Sequence, residues 1–192
     1  RATTEVEGVY NLDAGAVVGE GLQEVTLPNK DGFDRSVEYH YSSSFTVYDS
    51  QGKDHIVSSY FEKTAANTWE INIAVDGVVN VPGSPATAGA TDYTVVFDNN
   101  GQLRQTAGNL VDGKVNGPPG ITFDSGDFFG GGPSDLSFTY DLTGTTQFNN
   151  ASTQNSLSQD GYTSGSLAGI EVQDDGTIQK NYTNGEGQSA GQ

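Results

Sequence analysis

The chain has 192 residues and a mass of 20.2 kDa, enough for one large β domain or two small ones with a real core. Its 25 acidic and 8 basic residues give a formal charge of −17, which repels phosphate backbones and anionic bilayers and argues against a nucleic-acid or membrane partner. Cysteine is absent, so disulfides, thiolate metal sites and cysteine nucleophiles are excluded.

The 26 Gly, with many Thr, Ser, Asn and Asp, favour short strands and frequent turns over helices. No apolar run reaches the roughly 18 residues that suggest a membrane-spanning helix, and no charged start followed by an apolar stretch marks a secretory leader. Methionine is absent even at position 1, which reads as a piece excised from something longer or a processed product.

Residues 1–10 alternate weakly through Thr4, Val6 and Val9 and predict an opening strand. Asn11 to Asp34 is Gly-rich and acidic and reads as a loop carrying one short strand at Val25 to Leu27. A strong hairpin follows. Phe45 and Val47 lie before the turn D-S-Q-G-K, and Ile56, Ser58 and Tyr60 alternate after it. Trp69, Ile71, Ile73 and Val75 then share one face of an alternating strand. Asn80 to Thr91 is a polar loop leading to a strand over Tyr93 to Phe97.

In F-D-N-N-G-Q-L, Phe97 to Leu103, Asn100-Gly101 predicts a type I′ turn between two strands, and Asp175-Gly176 and Asp49 to Gly52 echo it. Val115 to Gly132 is the most irregular segment, with Phe123, Phe128 and Phe129 expected to pin a Gly/Pro-framed loop to the core. Leu136 to Leu142 reads as a closing strand. Thr143 to Gly165 is polar, without core-forming periodicity, and reads as a crossing between domains. A last hairpin spans Leu167 to Tyr182, and no segment carries a helical apolar period over three turns.

No enzyme signal rises from these residues. His40 and His55 lie in or beside the first hairpin, away from the kind of loop that presents a general base, and no G-x-S-x-G elbow or H-E-x-x-H pair exists. Asp124, Asp127, Asp174 and Asp175 offer hard oxygen ligands, but D-S-G-D and D-D-G do not fit the twelve-residue calcium loop. The acidic turns read as backbone geometry rather than cation sites. No catalytic, cofactor-binding or metal residue is therefore assigned.

Taken as a pattern, Tyr41 to Trp69 (Y-S-S-S-F-T-V-Y-D-S-Q-G-K-D-H-I-V-S-S-Y-F-E-K-T-A-A-N-T-W) closely resembles the segment beginning the outer domain of bacterial flagellar hook proteins. Phe97 to Leu103, Asp141 to Phe148 (D-L-T-G-T-T-Q-F) and Ser158 to Gln192 resemble three further strings of that family, in the same order. The resemblance covers most of residues 36–192 and fades over 11–34 and 104–134, as variable loops would. It implies an all-β fold: a compact antiparallel barrel- or sandwich-like domain with long Gly-rich loops, then a β-hairpin of a second β-rich domain. Residues 1–160 would be the outer inserted domain and residues 161–192 the return into the middle domain.

The implied protein is a structural subunit exported through the flagellar type III pathway. Its implied partners are neighbouring copies of itself, assembled as the extracellular hook, the universal joint that carries torque from motor to filament. Alone, the chain is expected to be monomeric. Asn11 to Asp34, Asn80 to Thr91 and Val115 to Gly132 are the expected contact loops, since weak polar contacts exchange at small cost as a curved tube turns. The competing readings are a secreted or surface adhesin-like β module stabilised by calcium, and a carbohydrate-acting or carbohydrate-binding module.

Overall fold

The computed structural model describes residues 1–79, 93–115, 120–173 and 176–191. Alternating side chains turn one face of each main strand toward a shared interior. The opening strand, β1 (Glu5–Asp13), points Val6, Gly8, Tyr10 and Leu12 inward. A hairpin of β2 (Gln23–Pro28) and β3 (Asp34–Tyr39) stands apart as its own two-stranded sheet. Next come the antiparallel strands β4 (Tyr41–Tyr48), β5 (Asp54–Ala65) and β6 (Thr68–Val75), with β7 (Val78–Val79) and β8 (Tyr93–Val96) both pairing with β6.

The remaining strands rebuild the sheet around β1. They are β9 (Leu110–Val111), β10 (Lys114–Val115), β11 (Ile121–Phe123), β12 (Leu136–Asp141), β13 (Thr146–Phe148) and β14 (Thr153–Gln159). A single helical turn, α1 (Ser125–Phe128), follows β11. Both β12 and β13 run parallel to β1, pairing Glu5 with Thr139 and Asn11 with Thr146. On the other side β14 runs antiparallel, pairing Val6 with Gln159. The antiparallel architecture expected from the sequence thus contains one parallel seam at its centre.

The two large sheets close over one core that joins Tyr10 and Leu12 to Phe45, Phe61, Trp69, Ile71, Phe123, Phe138 and Tyr140. Tyr10 links the layers. Its hydroxyl lies 2.8 Å from that of Tyr140 in its own sheet and donates to Ser43 Oγ on β4 at 3.4 Å. Burial pushes both phenols up from their ordinary value, Tyr140 strongly, so both stay neutral hydrogen-bonding groups. A smaller cluster of Val37, Ala74 and Val79 lies under the β2–β3 hairpin, so β6 is buried on both faces.

Several expectations are revised. Alternation locates the first hairpin, but on β5 the inward set is His55, Val57, Ser59, Phe61 and Lys63, whereas Ile56 is 56% exposed. Both parities of β5 mix polar and apolar residues, so periodicity alone does not decide the face. The polar stretch 143–165 holds β13 and β14 rather than a bare crossing. Strand β14 buries little and takes its place from backbone bonds to β1, which leave no trace in hydropathy.

The Phe97–Leu103 turn closes an isolated bridge rather than two long strands. Asn80 to Thr91 lies outside the described residues.

The chain ends in a three-stranded sheet, β15 (Leu167–Val172), β16 (Ile178–Tyr182) and β17 (Gly187–Gly191). The expected last hairpin is its first two strands. Pairing of Leu167 with Tyr182, Ile170 with Lys180 and Val172 with Ile178 places Leu167, Ile170, Val172 and Ile178 on one face, all exposed.

Truncating the core should separate sharply from truncating the outer face. Phe61→Ala should cost about 3–5 kcal/mol, whereas Ile56→Ala should stay within about 0.5 kcal/mol. Urea denaturation followed by Trp69 fluorescence reads both.

Candidate functional site

Three of the segments that carry the resemblance meet along one seam between the sheets. Strand β6 begins after Asn67, whose φ of 57° turns the chain into Trp69. The fully buried Trp69 indole donates to Gln147 Oε1 at 2.7 Å, and Gln147 Nε2 donates to Asn67 Oδ1 at 3.0 Å. The backbone N–H of Gln147 donates to Gly101 O at 2.8 Å, and that of Phe97 donates to Asn67 O at 2.8 Å. One glutamine therefore ties the A-N-T-W, F-D-N-N-G and T-T-Q-F strings together. Gly101 is needed twice over, because its φ is +75° and a Cβ there would stand 2.5 Å from Gln147 O.

The T-G-T-T run repairs an irregularity in β1. Register against β14 shifts between Val9 and Tyr10, a bulge that frees backbone groups. The buried Thr145 hydroxyl accepts from Tyr10 N at 3.2 Å and donates to Gly8 O at 3.4 Å. Beside it, Asn11 Oδ1 accepts from Thr146 Oγ1 and from Phe148 N, both at 3.0 Å.

The acidic turns use their carboxylates on their own backbone. Asp98 Oδ1 accepts from Asn100 N at 2.8 Å and Gln102 N at 2.9 Å, and Asp49 Oδ1 does the same for Gln51 and Lys53. In each turn only the glycine enters the left-handed region, Gly101 at 75° and Gly52 at 81°. The turn is thus a three-residue loop with a left-handed glycine rather than the expected type I′, which needs two positive φ values. The backbone pattern recurs at Asn29–Phe33, Gln173–Thr177 and Tyr182–Glu186. Sequence reading misses the first and last of these, although N-x-x-G at Asn29 and the N-G of Y-T-N-G carry the signal.

Both histidines bond within the fold. His55, 1% exposed, points Nδ1 at Asp76 Oδ2 (2.7 Å) and Nε2 at Asp49 Oδ2 (3.3 Å), with its ring 4.3 Å from Phe129. No external substrate can reach it. His40 Nδ1 accepts from Lys63 N at 3.1 Å, which leaves Nε2 to donate to Val17 O at 3.1 Å. The ammonium of the buried Lys63 donates to Ala14 O and Ala16 O, so the loop after β1 is tied down from beneath.

Asp124 caps α1 by accepting from Gly126 N and Asp127 N, and Asp127 pairs with Lys30 at 2.7 Å. Asp174 and Asp175 lie outside the described residues. Among the described residues no three His, Asp or Glu side chains are grouped to hold a metal ion.

The surface carries exposed apolar side chains. In the Asn11–Asp34 segment Val17, Val18 and Phe33 are each about half exposed, and Val17 borders an open groove of about 500 Å³ shared with Asp13, Glu20 and Tyr41. In Val115–Gly132, Phe123 is buried and Phe128 and Phe129 pack against the core, pinning the loop as expected.

Residues 11–162 match the family described as flagellar basal body protein FlaE D2 domain. The chain belongs to that family. It is 34% identical over 158 residues to the flagellar hook protein FlgE of Escherichia coli K12, covering 80% of this chain and 34% of that protein. To FlgE of Treponema pallidum it is 34% identical over 178 residues, covering 79% of this chain and 37% of the relative. The chain thus spans little more than a third of the length of these relatives. The crystal structure of Helicobacter pylori flagellar hook protein FlgE2 superposes with a TM-score of 0.50 at 18% identity, over 78% of this chain and 31% of that one, and shares the fold.

In this D2 framework Gly101→Ala should destabilise far more than Gly32→Ala. Both force a side chain into positive φ, but only Gly101 faces a backbone oxygen; thermal melts of the two variants decide it. Acid should act through two carboxylates. Burial pushes the Asp49 carboxyl up, but the Lys53 N–H, the His55 side chain and the Gln51 N–H hold it below the usual range. Asp160 behaves alike: burial raises it, and donors on Thr4 and Glu5 together with Arg1 pull it lower.

Groups depressed in the folded state stabilise above their unfolded pKa, about 3.9 for Asp. That stability is lost as pH falls through the folded value. Tm should therefore hold flat through the weakly acidic range and fall below about pH 4, with a shallower fall in Asp49→Asn.

Proposed function

We propose that the chain is part of a structural subunit of the bacterial flagellar hook, acting outside the cell through contacts with neighbouring copies and carrying no active site. The observation that supports this most directly is the D2 match over residues 11–162, whose strings form the inter-sheet seam. The titratable side chains that a catalyst would use are absorbed in that framework: His55 between two carboxylates, His40 under a loop, and Asp49 and Asp98 inside turns.

A hook must resist twist while its subunit rows lengthen and shorten around the bend. A sandwich tied by buried hydrogen bonds suits the stiff requirement. Exposed loops such as Ala14 to Gly21, built of small residues in a strongly acidic surround, suit the sliding one. We propose that residues 1–160 form the outer domain and that residues 161–192 belong to the adjoining one. The exposed apolar face of Leu167, Ile170, Val172 and Ile178 supports this division, because a three-stranded sheet with one apolar face calls for a covering layer.

Antibodies raised against the purified chain should place immunogold on the short curved segment between cell surface and filament. Gold spread over the cell surface with bare hooks would replace this reading with a surface adhesin. In the whole subunit, Val17→Ser with Val18→Ser should change hook curvature in electron micrographs without lowering the Tm of the domain. Sedimentation of the isolated chain should give a monomer across concentrations.

A further inference from the structure

The start of the chain and the segment leaving the sandwich run side by side. Arg1 N donates to Tyr162 O at 2.8 Å and Tyr162 N donates to Arg1 O at 3.0 Å, a reciprocal antiparallel pair. One carboxylate gathers both strands. Asp160 Oδ1 accepts from Thr4 N at 2.7 Å and Glu5 N at 2.9 Å, while Oδ2 accepts from Arg1 Nη2 at 2.8 Å and from the Thr4 hydroxyl.

The neighbouring residue closes the gap. Gly161 lies so near Thr3 that a Cβ would stand 2.2 Å from Thr3 Oγ1. Thr3 is buried and in turn locked to β4: its N–H donates to Tyr48 O and its hydroxyl accepts from Tyr48 N, both at 2.9 Å.

The segment beyond is held as well. A Cβ on Gly52, in the turn anchored by Asp49, would come within 3.0 Å of Ser164 N. Asn184 Nδ2 donates to Thr163 O at 2.8 Å, and Ser166 and Thr183 exchange bonds at 3.0 and 2.9 Å. Bonds to the first strand thus run through residues 160–162, bonds to the last sheet begin at 163, and Ser164 lies close against Gly52.

We infer that Asp160 and Gly161 form a clamp that zips both strands into a stiff neck and fixes the β15–β17 sheet in one orientation to the sandwich. Asp160 is a positioning residue. It supplies acceptors for four donors on the opposite strand, and the charge-assisted bond to Arg1 is the strongest kind available there. The bonds run from Arg1 to Glu5 along the first strand, so tilting the neck must break several at once. A carboxyl held below the usual range keeps the clamp closed through neutral and weakly acidic pH. For a hook, a reading on which this consequence rests, such a neck would pass rotation from one domain to the next without play.

The test uses the 192-residue chain, whose lack of cysteine lets two labels be placed uniquely. Spin labels at Thr46→Cys and Ser189→Cys, both exposed positions, report the distance between sandwich and last sheet by pulsed electron resonance. The parent should give one narrow distance. Asp160→Ala and, separately, Gly161→Ala should lose that single peak to a broad distribution while Trp69 emission stays that of the folded sandwich.

A broad distribution in the parent would overturn the clamp, as would narrow peaks in both variants. Loss of the sandwich in both would assign these residues to fold stability and overturn it too. None of these outcomes depends on assembly, so the immunogold experiment fails or succeeds separately.

Discussion

The first strand is completed by the last ones of the sandwich. Strand β1 is hydrogen-bonded along one edge to β12 and β13 and along the other to β14, so its central position does not exist until residues 136–159 have arrived. Everything else follows from closing that strand in. Tyr10 can bridge the two sheets only once β1 lies between its partners, and Thr145 can repair the β1 bulge only because the chain breaks between β12 and β13 at that height. Contacts of such long sequence separation are costly in loop entropy, and they make this a slow-folding topology for its size.

The same closure explains the polar ends of the core. Strand β5 runs the length of the sandwich, and its inward row carries Val57 and Phe61 around Ser59 with a polar residue at either end. At one end His55 sits between Asp49 and Asp76; at the other Lys63 reaches the carbonyls of Ala14 and Ala16. A buried polar group is costly unless it is partnered, and here each finds its partners on a different segment. Those two plugs seal the sandwich at its mouths, where apolar side chains would be half wet.

Much of this architecture is legible in the residues. Alternation places β4, β5, β6, β12 and the last hairpin, and the Phe trio in the irregular segment reads correctly as an anchor. What stays hidden is hidden for physical reasons. Strand β14 is an exposed polar strand defined by backbone bonds, which side-chain patterns do not record. The face of β5 is ambiguous because Ile56 and Val57 are equally apolar. The parallel seam is a long-range pairing without a local signature. The Gln147–Trp69 bond joins residues 78 apart and is invisible until the sheets are stacked. Asn100-Gly101 suggests a primed turn, yet the Asp98 side chain, accepting from two N–H groups, selects the longer loop.

The polar edge at β14 also bears on how two copies of this chain would meet. Its sequence, Thr153 to Gln159, carries six polar side chains and a single leucine, and among the described residues it pairs only with β1. An exposed sheet edge is a template on which another chain can add strand by strand. Here hydrated amides and hydroxyls line that edge, and a surface of −17 charge surrounds it. Crowded copies would meet there as wet, mutually repelling rims rather than as complementary strands, so close neighbours can stay distinct and never fuse into a common sheet.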